Sequence, residues 1–531
     1  MINIPLNRRE VIRICGMGLV ASPLATIASC QKRPSSPSFV EPQGPPFEGT
    51  DEQLLDEIQR ASFDFFWNEA SPKTGQVKDR SLANGGNDPR MMSSIAATGF
   101  GLTSLSIGDR RGYRKSAEIL ERVRNTLRFL ANDLRNEHGF FFHFIHMETG
   151  ERWAKCELSS IDSSILLCGV LTARQYFADQ EIQDLATKIY QRVDWPWMLN
   201  GGPTLSMGWH PESGFLKARW EHYCELMMIY LLGIGSPTHP LPPGTWNAWT
   251  RPKIKYQGIE YISGDDPIFT HQYSHAWFDF RNERDAYANY FENSVQATKA
   301  HKLFCLSLRN RFPDYSENLW GISASDYVKG YTAWGGPNAQ GGPIGPVDGS
   351  IVPCATGGSL PFLFEDCIRV LRHIRGPYGE KVCTKYSFRD AFNPLMNWYD
   401  TDVLGIDLGI TMLMAENHRT GFVWEQFMKD EDVKRGMVRA GFHPENPQVS
   451  SPSATQGYRA ICKEHSLSNH NRKGRVSRLE EDNHPIRARP RWRVCESGRD
   501  SRCDSPLLLC PFAPPQKAGG GFSLSGDLRN E

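Results

Sequence analysis

The sequence predicts an all-α domain, a closed helical toroid with small β-hairpins at its rim, and three observations predict it. Apolar residues recur at helical spacing through most of the chain from Asp51 onward, beginning with Leu54, Leu55, Ile58, Ala61, Phe63, Phe65 and Phe66. The helical stretches lack self-similarity at the period of roughly 33–45 residues that marks a solenoid of short repeats. Several of them are apolar nearly all round, as the inner helices of a ring are. Further helices are predicted at about 92–107, 115–135, 160–178, 180–192, 219–233, 287–303, 360–375, 409–417 and 420–440. Two hairpins interrupt them. One is Gly139-Phe140-Phe141-Phe142-His143-Phe144-Ile145-His146 running into the turn Met147-Glu148-Thr149-Gly150, and the other turns at Pro211-Glu212-Ser213-Gly214.

The chain has 531 residues, 40% of them hydrophobic and 11% aromatic, enough for one large helical domain. Residues 1–30 read as a lipoprotein-type export signal. Arg8-Arg9 precede an apolar run from Ile14 to Ala28 and resemble a twin-arginine signal, and Ile27-Ala28-Ser29-Cys30 resembles a lipobox in which Cys30 is acylated. That run is too short to span a bilayer, so the expected arrangement is a soluble body on a lipid anchor, periplasmic or at the cell surface. Residues 31–50, rich in Pro and Ser, read as a flexible linker. The body spans 51–451. Beyond it, 452–531 is dominated by Arg and Pro without helical period and reads as a basic, disordered tail.

Although the formal net charge is zero, the body is mildly acidic and both ends are basic. Nucleic acid and polyanionic polysaccharide need Lys/Arg stripes, so a neutral ligand is expected of the body and no nucleic acid. The cysteines form no Cys-x-x-Cys pair and no His-rich cluster accompanies them, which excludes the familiar zinc patterns. Most of those in the body read as small buried residues.

Three acidic residues head apolar segments. Glu225 lies in Trp220-Glu221-His222-Tyr223-Cys224-Glu225-Leu226-Met227-Met228-Ile229, read as the interior of an apolar helix. A carboxyl there loses solvation of its charged form, so it would hold a proton near neutral pH, as a general acid must. Asp162 and Asp407 each fall near the first turn of a buried helix, where a carboxylate also serves as a cap. Aromatic segments with hydrogen-bonding groups suit the apolar faces and hydroxyl edges of sugars, and equally suit a core. The candidates are His271, Tyr273, His275 and Trp277; Glu317, Trp320 and Tyr331; and Trp398, Tyr399 and Asp400.

Thr98-Gly99-Phe100-Gly101-Leu102, His138-Gly139-Phe140-Phe141, Ser160-Ile161-Asp162, Tyr223-Cys224-Glu225, His271 through Trp277, Glu317-Asn318-Leu319-Trp320-Gly321, Gly358-Ser359-Leu360-Pro361-Phe362, Asp390-Ala391-Phe392-Asn393-Pro394 and Gly405-Ile406-Asp407 occur in that order. Through these blocks the stretch from about 51 to 445 resembles the glucoamylase-like domain and, within it, the bacterial endo-β-1,2-glucanases of glycoside hydrolase family 144. The resemblance implies an (α/α)6 toroid, no metal or other cofactor, and hydrolysis of a neutral β-glucan with inversion at the anomeric carbon. It places the general acid at Glu225 and leaves Asp162, Asp400 and Asp407 as candidates for the base. Cys224, Leu408 and Ile410 depart from the family's usual residues. Two other classes compete: a glycan-binding lipoprotein without catalysis, and a polysaccharide lyase, against which the lack of a basic groove speaks.

Overall fold

The computed structural model describes residues 44–445. The export signal, Cys30, most of the linker and the basic tail lie outside the described residues. Eleven helices of this region carry the argument: α1 (Asp51–Asn68), α2 (Ile95–Arg110), α3 (Ser116–Arg128), α4 (Ser160–Tyr176), α5 (Gln180–Gln191), α6 (Met227–Gly235), α7 (Tyr290–Ser307), α8 (Pro353–Gly357), α9 (Phe364–Arg375), α10 (Gly405–Thr420) and α11 (Glu431–Ala440). Side-chain caps start many of them. Thr50 and Gln53 form a capping box at α1, and Ser94, Ser159, Asp179, Asn289 and Asp430 accept from first-turn amides of α2, α4, α5, α7 and α11.

Six segments close an inner ring, and their contacts trace it. α2 packs on α4 and α4 on α6. The Met228 amide of α6 donates to Ser274 Oγ (3.2 Å), which brings in a sixth inner segment made of the short turns Ile268–His271 and Ser274–Ala276. Gln272 Nε2 donates to the Ala355 carbonyl (2.9 Å) and Ser359 Oγ (2.8 Å) and so joins that segment to α8. α8 packs on α10, and α10 returns to α2. The outer layer is α1 against α2 and α10, α3 against α2, α5 against α4, α11 against α6, α7 against 268–271, and α9 against α8. This is the (α/α)6 toroid. The inner helices α2, α4 and α10 are buried on almost every side, whereas α3, α5 and α11 bury one stripe, the patterning that the two layers require.

α2 and α4 approach so closely that only glycine fits at the crossing. A Cβ on Gly169 would fall against the Gly99 carbonyl, and one on Gly99 against the Ile165 carbonyl. Backbone cannot step aside as a side chain can. Gly169→Ala is therefore expected to cost about 2–3 kcal/mol, read as a lowered urea midpoint at unchanged slope.

Short antiparallel strands decorate the rim. Gly208–His210 turns into Gly214–Phe215 as expected, and hairpins at 253–262, 325–332, 383–388 and 392–399 add to it. The expected strand 139–146 is shared out instead. Phe140–Phe141 pairs with Asn136–Glu137, while Phe144–His146 pairs with Met92–Ser94 ahead of α2. Arg80–Leu82 pairs with Asp402–Leu404 just before α10. These pairings bring helix beginnings together. No helix among the described residues is long and apolar enough to cross a membrane.

Candidate active site

Four inner-helix beginnings are tied to one another at a single rim. The Ile95 amide, first in α2, donates to the His143 carbonyl (3.2 Å), and the Phe141 amide two residues earlier donates to Ser163 Oγ of α4 (3.0 Å). Gly405, first in α10, donates to the Asp79 carbonyl (2.8 Å), whose own amide donates to Met92 O (3.1 Å) ahead of α2. Trp220 Nε1 donates to Ser160 Oγ (2.8 Å) and fastens the segment that precedes α6 to the start of α4. The first residues of α8, Pro353 and Cys354, line one cleft with Leu404 just before α10, with Asp407 and Leu408 of α10 and with Asp390.

Glu225 stands in a turn two residues before α6, correcting the reading that placed it inside a helix over 219–233. The apolar run starts earlier than the helix because Tyr223, Cys224 and Leu226 are buried by the neighbouring segments and not by helical packing. Its backbone carbonyl accepts from Ser274 Oγ (2.9 Å), and the residue is buried. Close by, His222 faces Asp266 (3.6 Å). The hydrogen bond to Asp266 raises the His222 imidazole above its ordinary value against the opposing effect of burial, with the charges of Asp266, Glu221 and Glu225 adding to the rise.

Asp162 lies in the first turn of α4, where the helix terminus favours a carboxylate. Ser159 caps the turn, accepting from the Asp162 amide (3.2 Å) and donating its hydroxyl to Asp162 Oδ2 (2.5 Å). His143 Nε2 is 3.6 Å from the same oxygen, and His143 Nδ1 is 3.1 Å from Glu157 Oε1.

Asp407 occupies the first turn of α10 within a denser group. Asp390 is hydrogen-bonded to Asp407, and its Oδ2 accepts from the Asp326 amide (2.7 Å). Asp326, Asp390 and Asp400 bring one carboxylate oxygen each within 4.8 Å of one another. Arg80 holds Asp326 (2.6 Å) and Asp79 (3.1 Å), and Arg90 bridges Asp88 (2.7 Å) to Asp402. Burial, then the charges of Asp407 and Asp326, pushes Asp390 far above the usual carboxylate range, so it keeps its proton. Burial and the charge of Asp326 push Asp400 up to about 7. The group contains a proton donor, a carboxyl that titrates near neutrality and an arginine-paired carboxylate.

The aromatic candidates divide. His271, Tyr273, His275 and Trp277, read from the sequence as sugar contacts, are buried. They form the sixth inner segment, so they pack between helices: Trp277 lies against Phe100 and donates Nε1 to Thr103 Oγ1 (3.0 Å), His275 Nε2 meets Ser294 Oγ (3.0 Å), and His271 Nδ1 meets Tyr223 Oη (3.1 Å). Burial pushes both histidines down to about 3, which leaves them neutral. Trp320 is likewise enclosed, and Glu317 sits at the surface on Lys302 (2.6 Å). Tyr331, Trp398 and Tyr399 remain half-buried beside the acidic group; Tyr331 pairs across its hairpin with Asp326, and Tyr399 immediately precedes Asp400. Sequence reasoning passed over Arg80, His143, Glu157 and the proton on Asp390. Only Asp390 carried any signal, as part of the block Asp390–Pro394.

Residues 217–431 match the family model described as "Putative glucoamylase". An exo β-1,2-glucooligosaccharide sophorohydrolase (non-reducing end) from Parabacteroides distasonis is 28% identical over 430 residues, which cover 73% of this chain and 58% of that protein. This chain thus spans less than two thirds of that relative's length. An endo-β-1,2-glucanase from Chitinophaga pinensis, solved with sophorotriose and glucose, superposes with a TM-score of 0.69 at 27% identity over 74% of this chain and 99% of that one. A β-1,2-glucanase from Parabacteroides distasonis superposes with a TM-score of 0.68 at 27% identity over 74% of this chain and 60% of that one. Residues 217–431 are thus similar to the glucoamylase family model, and the chain shares its fold with these solved bacterial β-1,2-glucanases.

Proposed function

We propose that this chain is a glycoside hydrolase that cleaves β-1,2-glucan internally with inversion, Glu225 protonating the leaving oxygen while an aspartate-held water attacks the opposite face of the sugar. The observation that carries the reading is the gathering of acidic residues at the starts of inner helices on one rim, Asp162 at α4, Glu225 before α6 and Asp407 at α10, in a fold whose similar proteins act on β-1,2-glucan. Asp162, Asp400 and Asp407 are the candidate bases. Asp162 beside His143, and Asp407 beside a carboxyl that keeps its proton, suit the role better than Asp400, whose carboxyl is half protonated near pH 7. Tyr331, Trp398 and Tyr399 supply rings next to that group.

Incubation with β-1,2-, β-1,3- and β-1,4-glucans tests the reading. New reducing ends are expected from the β-1,2-linked polymer, as a ladder of oligosaccharides and with the α-anomer formed first. Release of sophorose alone would replace internal cleavage by exo action, and no reducing ends from any glucan would leave a glycan-binding protein. The lipid anchor at Cys30, with export by the twin-arginine route to the periplasm or cell surface, belongs to the same proposal. Labelled palmitate is expected in the wild-type protein and absent from Cys30→Ala.

A further inference from the structure

His143 is buried with a carboxylate against each ring nitrogen, Glu157 at Nδ1 (3.1 Å) and Asp162 at Nε2 (3.6 Å). A neutral imidazole has one N–H and one lone pair, so two ionised acids cannot both face it without setting a lone pair against a carboxylate. A proton on each ring nitrogen satisfies both contacts at once. Asp162 lies in the first turn of α4 and turns the oxygen that accepts from Ser159 Oγ toward the ring, while Glu157 meets the other nitrogen. The ring itself is fixed: it stacks on Phe144 (centroids 3.8 Å apart, planes 17° apart), and the His143 amide donates to the Glu157 carbonyl (3.0 Å).

We propose that His143 is a positioning residue, a buried imidazolium clamped by Glu157 that orients the Asp162 carboxylate at the start of α4 and keeps it an acceptor. The proposal rests on the functional reading above insofar as Asp162 touches substrate or the attacking water. The contacts from His143 and Ser159 both fall on Oδ2 of Asp162, which leaves Oδ1 to a water or a sugar hydroxyl. The charged groups that act on His143 are Glu157, just before the strand Leu158–Ser159, Asp162 on α4 and Asp79, just before the strand Arg80–Leu82. Burial by itself would lower the imidazole, but the charges of Asp162, Glu157 and Asp79, with the hydrogen bond to Glu157, raise it above its ordinary value.

The test is the pH dependence of kcat and KM on β-1,2-glucan for the full chain and for His143→Gln, Glu157→Gln and Asp162→Asn. Glutamine has similar reach and one donor end but cannot be cationic. In His143→Gln, kcat is expected to fall by about tenfold or more with KM changed by less than about threefold. The acid limb of the profile is expected to move up by about one pH unit, because Asp162 loses its cationic neighbour. Glu157→Gln is expected to displace the same limb in the same direction by less, and serves if His143→Gln does not fold. A profile that superposes on the wild type in a folded variant overturns the inference, even where the overall rate drops. Asp162→Asn separates the two claims. Turnover near wild type in that variant would remove Asp162 from the reaction and with it the purpose assigned to His143, whereas an inactive Asp162→Asn beside an unshifted His143→Gln profile would overturn His143 alone.

Discussion

Glu225→Gln is expected to lower turnover of β-1,2-glucan by roughly 10²- to 10⁴-fold, the range a positioned general acid supplies, while the Kd for a β-1,2-glucooligosaccharide stays within about threefold. The change is nearly isosteric, and the hydrogen bond that anchors the local turn uses the Glu225 backbone carbonyl, so Ser274 keeps its partner in the variant. What disappears is the proton. A sugar alkoxide is a poor leaving group, and bond cleavage without protonation carries the full cost of that negative charge. An aryl glycoside with an acidic phenol leaves without help, so the same variant is expected to lose far less on such a substrate. That difference between substrates is the signature of a lost acid, and a distorted cleft would impair both alike. Turnover on the glucan within about threefold of wild type would take Glu225 out of the role.

The helical layers were legible because burial writes itself into local sequence. α4 and α10 are apolar on nearly every side, and both were placed to within a few residues, with Asp162 and Asp407 in their first turns. The start of α6 was misread for a physical reason. No side-chain cap opens it, since Leu226 occupies the cap position, and the buried residues before it extend the apolar run without continuing the helix. Apolar periodicity reports burial, and only a cap or a turn residue reports where a helix begins.

The segment 269–277 shows the other limit. Rings mixed with His, Gln and Ser fit a sugar-binding wall or a hydrogen-bonded core equally well, and the decision lies in contacts to distant residues. Gln272 reaches Ala355 and Ser359, and Trp277 reaches Thr103. The acidic group is less visible still. Arg80 meets Asp326 from 246 residues away, and the proton on Asp390 depends on Asp407 and Asp326, which approach it only in the closed ring. Side chains named one at a time thus came with positions but without charge states. Those arise from assembly.

Asp400 turns such a charge state into a measurable stability. In the unfolded chain its carboxyl titrates near the ordinary value of about 3.9. In the fold, burial first and the Asp326 charge second raise it to about 7, against the Asp402 amide and Arg80, which pull it down. Between about pH 4 and pH 7 the native state therefore binds the proton that the unfolded chain has released, and stability falls as pH rises through that window. Above it the deficit is complete, on the order of 4 kcal/mol if the whole shift is expressed. Asp400→Asn keeps an oxygen for the Asp402 amide (3.2 Å in the wild type) and offers an N–H where Oδ2 lacks a partner. The variant is expected to match the wild type near pH 4 and to exceed it in unfolding free energy by that amount at pH 8, with a flatter dependence of Tm on pH. Removing the charge also eases Asp390, whose proton is held partly against Asp400, so the two titrations shift together. A stability difference that stays constant from pH 4 to pH 8 would show that Asp400 carries no displaced proton. If turnover falls while stability rises, a destabilising carboxyl is being kept for its chemistry, the trade that a charged group buried beside a substrate cleft imposes.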